Sequence, residues 1–240
     1  MVVDTTRQNI SLSKIVGQKS ENVVVEGDVI VPDIKPDILN VISTSGNICI
    51  YKKEVQDGKV RFDGCVQVSI IYLADNEEQS TRGMSTVIDF TKIVDFDGCK
   101  PHMNLSNQFK MKHIGAQVIN GRKVSIKAEL GLEVKVYTNE EVDLITQIDS
   151  KIKVQKLSHM AEVSLQVGSG TTKVYAKENL ILDEIDHLAE ILRVDFRITS
   201  KDKKLSYNKV LAKADAEISI LYLTEDNRMN KVEAAIPVMG

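Results

Sequence analysis

Apolar and polar positions alternate along most of this chain. "NICIYKKEV" (47–55) and "KVRFDGCVQVSIIYL" (59–73) both keep period two, the spacing that sends successive side chains of a strand to opposite faces. Between them, "QDGK" (56–59) holds Asp57 and Gly58. Glycine takes a positive φ without steric cost, so the spacing predicts a long β-hairpin. A second hairpin is expected from "QFKMKHIGAQVI" (108–119) through "NGR" (120–122) to "KVSIKAELGLEVKVY" (123–137). A third joins "FRITSKDKKL" (196–205) to "KVLAKADAEISILYL" (209–223) through "SYNK" (206–209). Weaker alternation predicts strands at 22–31, 84–90, 141–155, 161–167, 171–181 and 229–237.

One stretch breaks the alternation. In "VIVPDIKPDILNVIS" (29–43), Ile34, Ile38, Val41 and Ile42 recur at helical spacing. A copy of the same region lies 150 residues further on. Without a gap, 31–73 aligns with 181–223, so that Asp33 meets Asp183, Ile48 meets Ile198, and Tyr72-Leu73 meet Tyr222-Leu223. Upstream, "ISLSKIV" (10–16) resembles "IKVQKLS" (152–158). The second copy reads "LDEIDHLAEILR" (182–193), with Asp183 as an N-cap, Asp186 in capping-box position and Arg193 at the C-terminal end. This predicts a short helix in each copy. In the first it runs from about 34 to 42, with Pro36 tolerated in the first turn. The expected fold is mainly β, with antiparallel, sandwich-like sheets and one short α-helix per repeat. The two related units are 1–150 and 151–240. Nothing after residue 223 matches the first unit's 91–150 with its "NGR" hairpin. The second unit is therefore expected to be truncated, completed either by further residues of a longer protein or by another chain.

Composition narrows the function classes. The formal charge is 31 minus 34, or -3, and no basic stripe offers a footprint for nucleic acid or an anionic membrane. "MVVDTTRQNISLSKIV" (1–16) has no apolar core of a signal peptide, and no apolar run reaches membrane-spanning length. Cysteine usage (Cys49, Cys65, Cys99) is odd in number and without CxxC spacing, which fits a reducing, cytosolic setting. Cys49 and Cys65 are expected as small buried or half-buried hydrophobes. Trp is absent, so the stacking faces usual at sugar and single-strand sites are scarce.

Candidate chemistry is thin. Glu26, Asp28, Asp33 and Asp37 fall within twelve residues, a density that suits a hard cation. Their counterparts are Ala176, Glu178, Asp183 and His187, so the copy loses two carboxylates and helix capping is the preferred reading of Asp33. Cys99 and His102, with His113 further on, lack the four-ligand spacing of zinc. No nucleophile motif joins His102, His113, His159 or His187 to a Ser or Cys. "VGSG" (167–170) lacks the Lys-Ser/Thr of a phosphate loop and reads as a flexible loop. No catalytic residue, metal or cofactor is expected. Lys52, Lys53 and Glu54 crowd the first hairpin tip, the usual protection of an exposed strand edge.

These residues resemble the SPOCS domain family (formerly DUF3794) of spore-forming Firmicutes. The shared pattern is Pro32-Asp33-Ile34, Pro36-Asp37-Ile38-Leu39, Glu54-Val55, Asp57-Gly58-Lys59-Val60, Gly64 and Tyr72, most specific over 24–73. "NGRKV" (120–124) and "ILRVDFRITSKDKKL" (191–205) are similar to it as well. The second copy departs by Asn208 in place of Gly58 and by lacking both prolines. The resemblance brings no catalytic residues with it. It implies that Pro32, Asp33, Pro36, Asp37, Gly58, Gly64, Tyr72 and Asp183 are structural motif positions. It further implies a spore-coat morphogenetic protein, made in the mother-cell cytoplasm and placed at the forespore surface. In the best-known clostridial members such units precede a C-terminal LysM domain, which is absent from this sequence. That domain is expected to make the main contact with the polymerising ATPase of the coat's basement layer.

The expectation drawn from residues and resemblance together is a non-enzymatic assembly and docking module. Its partners would be spore-coat morphogenetic proteins, with self-association as a further contact, and neither nucleic acid nor membrane insertion. Two alternatives are carried. One is a glycan-binding module of the cell envelope. The other is a hydrolase working through Asp33 and Asp37.

Overall fold

The computed structural model describes residues 3–78, 80–150, 153, 155, 157–160, 162, 170, 172–183 and 185–240. Its strands are β1 (Val3–Ile30), β2 (Ile38–Gln56), β3 (Lys59–Ala74), β4 (Thr81–Asp95), β5 (Asn104–Asn120), β6 (Lys123–Ser150), β7 (Leu188–Ser206), β8 (Lys209–Thr224) and β9 (Met229–Met239). They form three antiparallel sheets of three strands. Strands β1-β6-β5 make a covering sheet, β2-β3-β4 a proximal sheet, and β7-β8-β9 a distal sheet.

The three predicted hairpins form where their turn residues stand. Gly58 has φ +70° and closes the β2–β3 turn. Its N–H donates to the Cys99 carbonyl at 2.9 Å and its carbonyl accepts from Phe96 N–H at 2.8 Å, so the loop after β4 is held on the hairpin tip. The expected strand at 22–31 is the end of a longer β1, paired with β6 along its whole length. The strand expected at 141–155 is the end of β6, up to Ser150. The strand expected at 161–167 and the loop at 167–170 lie, apart from Glu162 and Gly170, outside the described residues.

The covering and proximal sheets pack face to face as a sandwich. Along β6, Val124, Ile126, Ala128, Leu130, Leu132 and Val134 are buried at every second position. From the other side β3 sends in Val60, Phe62, Val66, Val68, Ile70 and Tyr72. Across the interface Phe62 meets Phe109 of β5 edge to face, with centroids 5.3 Å apart. Gly64 is needed where the strands crowd. A Cβ there would stand 2.6 Å from the Cys49 carbonyl oxygen and 2.8 Å from Ile50 Cδ1.

The helix expected in each copy is not there: the described residues contain no helix. Residues 32–37 turn, and β2 begins at Ile38. Ile34, assigned to the buried stripe, is 92% exposed. The physical reason for the misleading period is a pair of β-bulges, between Ile38 and Asn40 and between Val41 and Ser43. Each inserts one residue. Strand pairing therefore faces β3's inward row from positions 38, 41 and 44, a spacing of three that imitates a helix. The second copy repeats both bulges, between Leu188 and Glu190 and between Ile191 and Arg193. Asp33 and Asp183 are accordingly not helix caps, and Pro36 is not a first-turn residue.

The 150-residue repetition of the sequence appears in the backbone. Val60 pairs with Val55 and Val210 with Leu205, while Ile70 pairs with Thr44 and Ile220 with Val194. Tyr72 pairs with Val41, and Tyr222 with Ile191. Of the strand expected at 171–181, residues 172–181 carry none. These residues align with 22–31, and in the first unit that segment is held by β6. Strand hydrogen bonds need a neighbour. Among the described residues no second β6 exists. First and second copy meet where Leu192 of β7 packs on Ile71 of β3 and Leu223 of β8. Gly83 of β4 admits this approach: a Cβ there would stand 2.8 Å from Leu192 Cα. Lys35 completes the contact, pairing with Glu190 and donating to the Gly83 carbonyl.

Candidate functional site: a clamped turn and an open sheet face

Two features stand out once the sheets are placed. The first is the turn at 32–37. The Pro32 carbonyl accepts from Lys35 N–H at 2.9 Å. Arg122, the last residue of the "NGR" turn between β5 and β6, reaches across to it. Its Nη1 donates to the Lys35 carbonyl (2.9 Å) and Asp37 Oδ1 (3.0 Å). Its Nη2 donates to the Val31 carbonyl (2.9 Å) and Asp33 Oδ1 (3.1 Å). Backbone bonds reinforce the clamp: Ile38 N–H donates to the Gly121 carbonyl and Val31 N–H to the Arg122 carbonyl. Tyr72, wholly buried, donates its hydroxyl to the Pro36 carbonyl at 3.2 Å, and Asp75 N–H donates to the Asp37 carbonyl. One planar guanidinium thus fixes the geometry of four acceptors.

This arrangement brings together five of the motif positions, Pro32, Asp33, Pro36, Asp37 and Tyr72. It leaves Gly58 and Gly64 at their hairpin positions elsewhere in the proximal sheet. Both carboxylates face the same guanidinium and form ion pairs with it. Glu26 and Asp28 are separately paired, with Lys127 and Lys123, and Lys123 and Ser125 hold the Asp28 carboxyl below its ordinary range. Among the described residues no group of three or more His, Cys, Asp or Glu stands close enough to hold a metal, so Cys99, His102 and His113 are not gathered. Cys49 and Cys65 face each other across β2 and β3; Cys65 is buried as expected, and Cys49 is exposed. No described helix is long and apolar enough to cross a membrane.

Arg122 was not marked out by the sequence. It is 89 residues from Asp33, and the signals pointing to it were a basic residue directly after a hairpin glycine and its place in the family-like "NGRKV" (120–124).

In the second copy a different acid does the corresponding work. The Asp183 carbonyl accepts from Asp186 N–H at 2.9 Å, and Glu225 N–H donates to the His187 carbonyl as Asp75 does to Asp37. Tyr222 donates its hydroxyl to Asp186 Oδ2 at 2.6 Å where Tyr72 used a carbonyl. Asn230 Nδ2 donates to the same oxygen at 2.7 Å, and Arg228 stands 3.3 Å from Oδ1. The Tyr222 and Asn230 hydrogen bonds hold the Asp186 carboxyl below the usual carboxylate range. The Asp186 carboxylate in turn pushes the Tyr222 phenol up to about 12.

The second feature is the distal sheet's inward-type face. Phe196, Ile218 and Ala234 form one cross-strand row, and Ile198, Ala216 and Ile236 the next. Polar residues such as Asp195, Glu217 and Lys231 belong to the opposite parity. The matching face of the proximal sheet lies under β6 and β5. Val60 is fully buried there, whereas its counterpart Val210 is 61% exposed, and Phe196 is 57% exposed.

A two-sheet β-sandwich followed by a lone copy of one of its sheets defines a modular, duplicated β protein. Residues 37–119 match the family model described as SipL, SPOCS domain, and this segment of the chain is similar to that family. The match runs from Asp37 to Ile119. Its first residue, Asp37, pairs with Arg122, which lies just beyond its last. Comparison with curated proteins and with solved structures returns no match.

Proposed function

We propose that the chain is a non-catalytic assembly module of the spore coat, docking coat morphogenetic proteins at the forespore surface from the mother-cell side. The observation that carries this reading is the exposed part of the distal sheet's apolar face, where Phe196 is 57% exposed although Ala216 and Ile236 of the next row are buried. A soluble surface seldom leaves such a patch without a use, and patches of this kind mark association sites. The family supplies the setting. The Arg122 clamp supports the same reading, because it engages Asp33 and Asp37, the pair carried for a hydrolase, in structure.

The test is a tagged chain expressed in sporulating cells, with cross-linking and identification of what is retained, beside fluorescence of the fused chain. Retention of coat proteins and a shell of signal around the forespore are expected, and Phe196→Lys is expected to abolish retention. Diffuse signal with no coat protein retained would contradict the proposal.

A further inference from the structure

The outward face of the proximal sheet carries two thiols at one station. Cys49 of β2 and Cys65 of β3 are direct cross-strand partners. Both alternate with residues of the sandwich: Ile48 and Ile50 flank Cys49, Val66 follows Cys65, and all three pack in the core. Cys65 is 8% exposed yet lies outside that core, whereas Cys49 is exposed. Directly opposed residues of an antiparallel pair have Cα atoms about 4.5 or 5.5 Å apart, according to their place in the ladder. Either separation falls in the range of roughly 4.4–6.8 Å that a disulfide spans. Both cysteines are free.

Their surroundings separate the two roles that a dithiol needs. Cys49 is open to a small disulfide from solvent. Cys65 has Asp89 as its partner on β4. Burial, with Cys49 and Asp89 beside it, pushes the Cys65 thiol up, which makes it a poor first nucleophile. It nevertheless stands where it can displace a group carried by Cys49. The third cysteine, Cys99, is buried in the loop held on the hairpin tip and is no rival. The second copy keeps the strand pairing at this station without the sulfurs. Its partners are Thr199 and Asp215, and the Thr199 hydroxyl donates to the Asp215 carbonyl at 3.4 Å.

We infer that Cys49 and Cys65 form a redox-sensitive lock on the β2–β3 hairpin, closed by a small-molecule disulfide and reopened by a thiol. In closing, Cys49 loses its proton to solvent and its thiolate attacks one sulfur of the disulfide RSSR. A bond from Cys49 Sγ to SR forms, the RS–SR bond breaks, and one RS⁻ leaves. Cys65 then loses its proton and attacks Cys49 Sγ. The Cys49–Cys65 bond forms and the second RS⁻ leaves. The departing thiolates take up the two protons, so one RSSR is reduced to two RSH while the protein dithiol is oxidised by two electrons. The closed bond joins the strands across residues 50–64 and removes freedom from the opened hairpin. In reducing surroundings the pair stays open, and it responds to a rise in the disulfide fraction.

The test uses the whole reduced chain, oxidised glutathione as the probe and dithiothreitol for reversal. After oxidation the chain is unfolded in urea with N-ethylmaleimide, weighed by mass spectrometry and digested without reduction. A single maleimide at Cys99, no retained glutathione and a linked Cys49–Cys65 peptide are expected. Cys65→Ser should stop at a glutathione adduct on Cys49, and folded Cys49→Ser should take up none. Hydrogen exchange of β2 and β3 amides around the pair should slow by roughly tenfold or more on oxidation. It should recover with dithiothreitol, with β7 and β8 unchanged throughout. A maleimide on each of the three cysteines, glutathione retained on the unaltered chain, or a Cys49–Cys49 link between chains overturns the inference. So does a closed bond that leaves β2 and β3 exchange where it was. Uptake of glutathione by folded Cys49→Ser overturns the order of attack.

Discussion

The first two strands of the proximal and distal sheets pair in the same register, with matching bulges at the start of β2 and β7, and the third is offset by two residues, yet the two sheets live in different surroundings. Val60 and Val210 are the same residue at the same station, one fully buried and the other 61% exposed. The difference shows what a covering sheet contributes: it turns a patterned face into a core. A second difference lies at the turns. The first copy imports a guanidinium from the covering hairpin to hold its turn. The second holds its turn from within, by burying Asp186 against Tyr222, Asn230 and Arg228.

The comparison is broken most sharply by cutting the same atoms from both sheets. Ile70→Ala removes a fully buried side chain and is expected to cost about 3–4 kcal/mol, in the range for large-to-small core changes. Ile220→Ala, its half-buried counterpart, is expected to cost about 1 kcal/mol. Urea unfolding followed by circular dichroism measures both, and equal costs would mean that the distal face is as well packed as the proximal one.

Next in size is the clamp. Arg122→Ala should cost about 2 kcal/mol, for loss of charge-assisted bonds discounted because the site is partly exposed. The loss should be confined to the first unit, with hydrogen exchange of β8 unchanged. Loss of protection in β8 as well would mean that the turns of the two copies are coupled through Lys35 and Glu190.

The tyrosines are expected to rank the other way from the isoleucines. Tyr222→Phe strands a buried carboxylate and should cost about 2 kcal/mol, while Tyr72→Phe loses a bond to a neutral carbonyl and should cost about 1 kcal/mol. A larger loss for Tyr72→Phe would show that Asp186 finds its partners without the phenol.

The smallest effect is a pH dependence confined to the second copy. The Asp186 carboxyl is depressed in the folded state. Its contribution is therefore complete above the unfolded carboxylate value of about 3.9 and is lost as pH falls through the folded value. Tyr222 is raised to about 12, so its contribution is complete below the unfolded phenol value of about 10 and is lost as pH rises from there to about 12. Protection of β8 amides should decline at both extremes, and Asp186→Asn should remove the acid limb. An acid limb that persists in that variant would assign it to another carboxylate.

Much of this architecture was legible in the sequence, and the exceptions have physical causes. The hairpins were announced by Asp57-Gly58 and Asn120-Gly121, because turn chemistry is local. The duplication was visible because a 150-residue shift aligns apolar positions whose strands then pair in the same register. The helix was misread because bulges shift inward positions from a spacing of two to three, and sequence pattern alone does not separate that from a helical stripe. The extension of β1 back to Val3 was missed because its polar stretches, such as "TTRQN" (5–9), carry no alternation and are organised by β6. The strand expected at 171–181 had the right pattern, and its described residues find no strand partner among the described residues. At the clamp, Asp33 and Asp37 were singled out, but their partner Arg122 is distant in sequence. Within one chain a carboxylate pair looks the same whether it awaits a metal, a proton or a guanidinium.

Native-state hydrogen exchange of β3 and β8, compared at matched positions such as Ile70 and Ile220, tests the central claim most directly. The account predicts that β3 amides exchange only with global opening of the sandwich, while β8 amides exchange faster by roughly a hundredfold or more, through local opening of a sheet whose apolar face is partly exposed. Equal protection in the two strands would contradict it, because the distal sheet would then be as well covered as the proximal one.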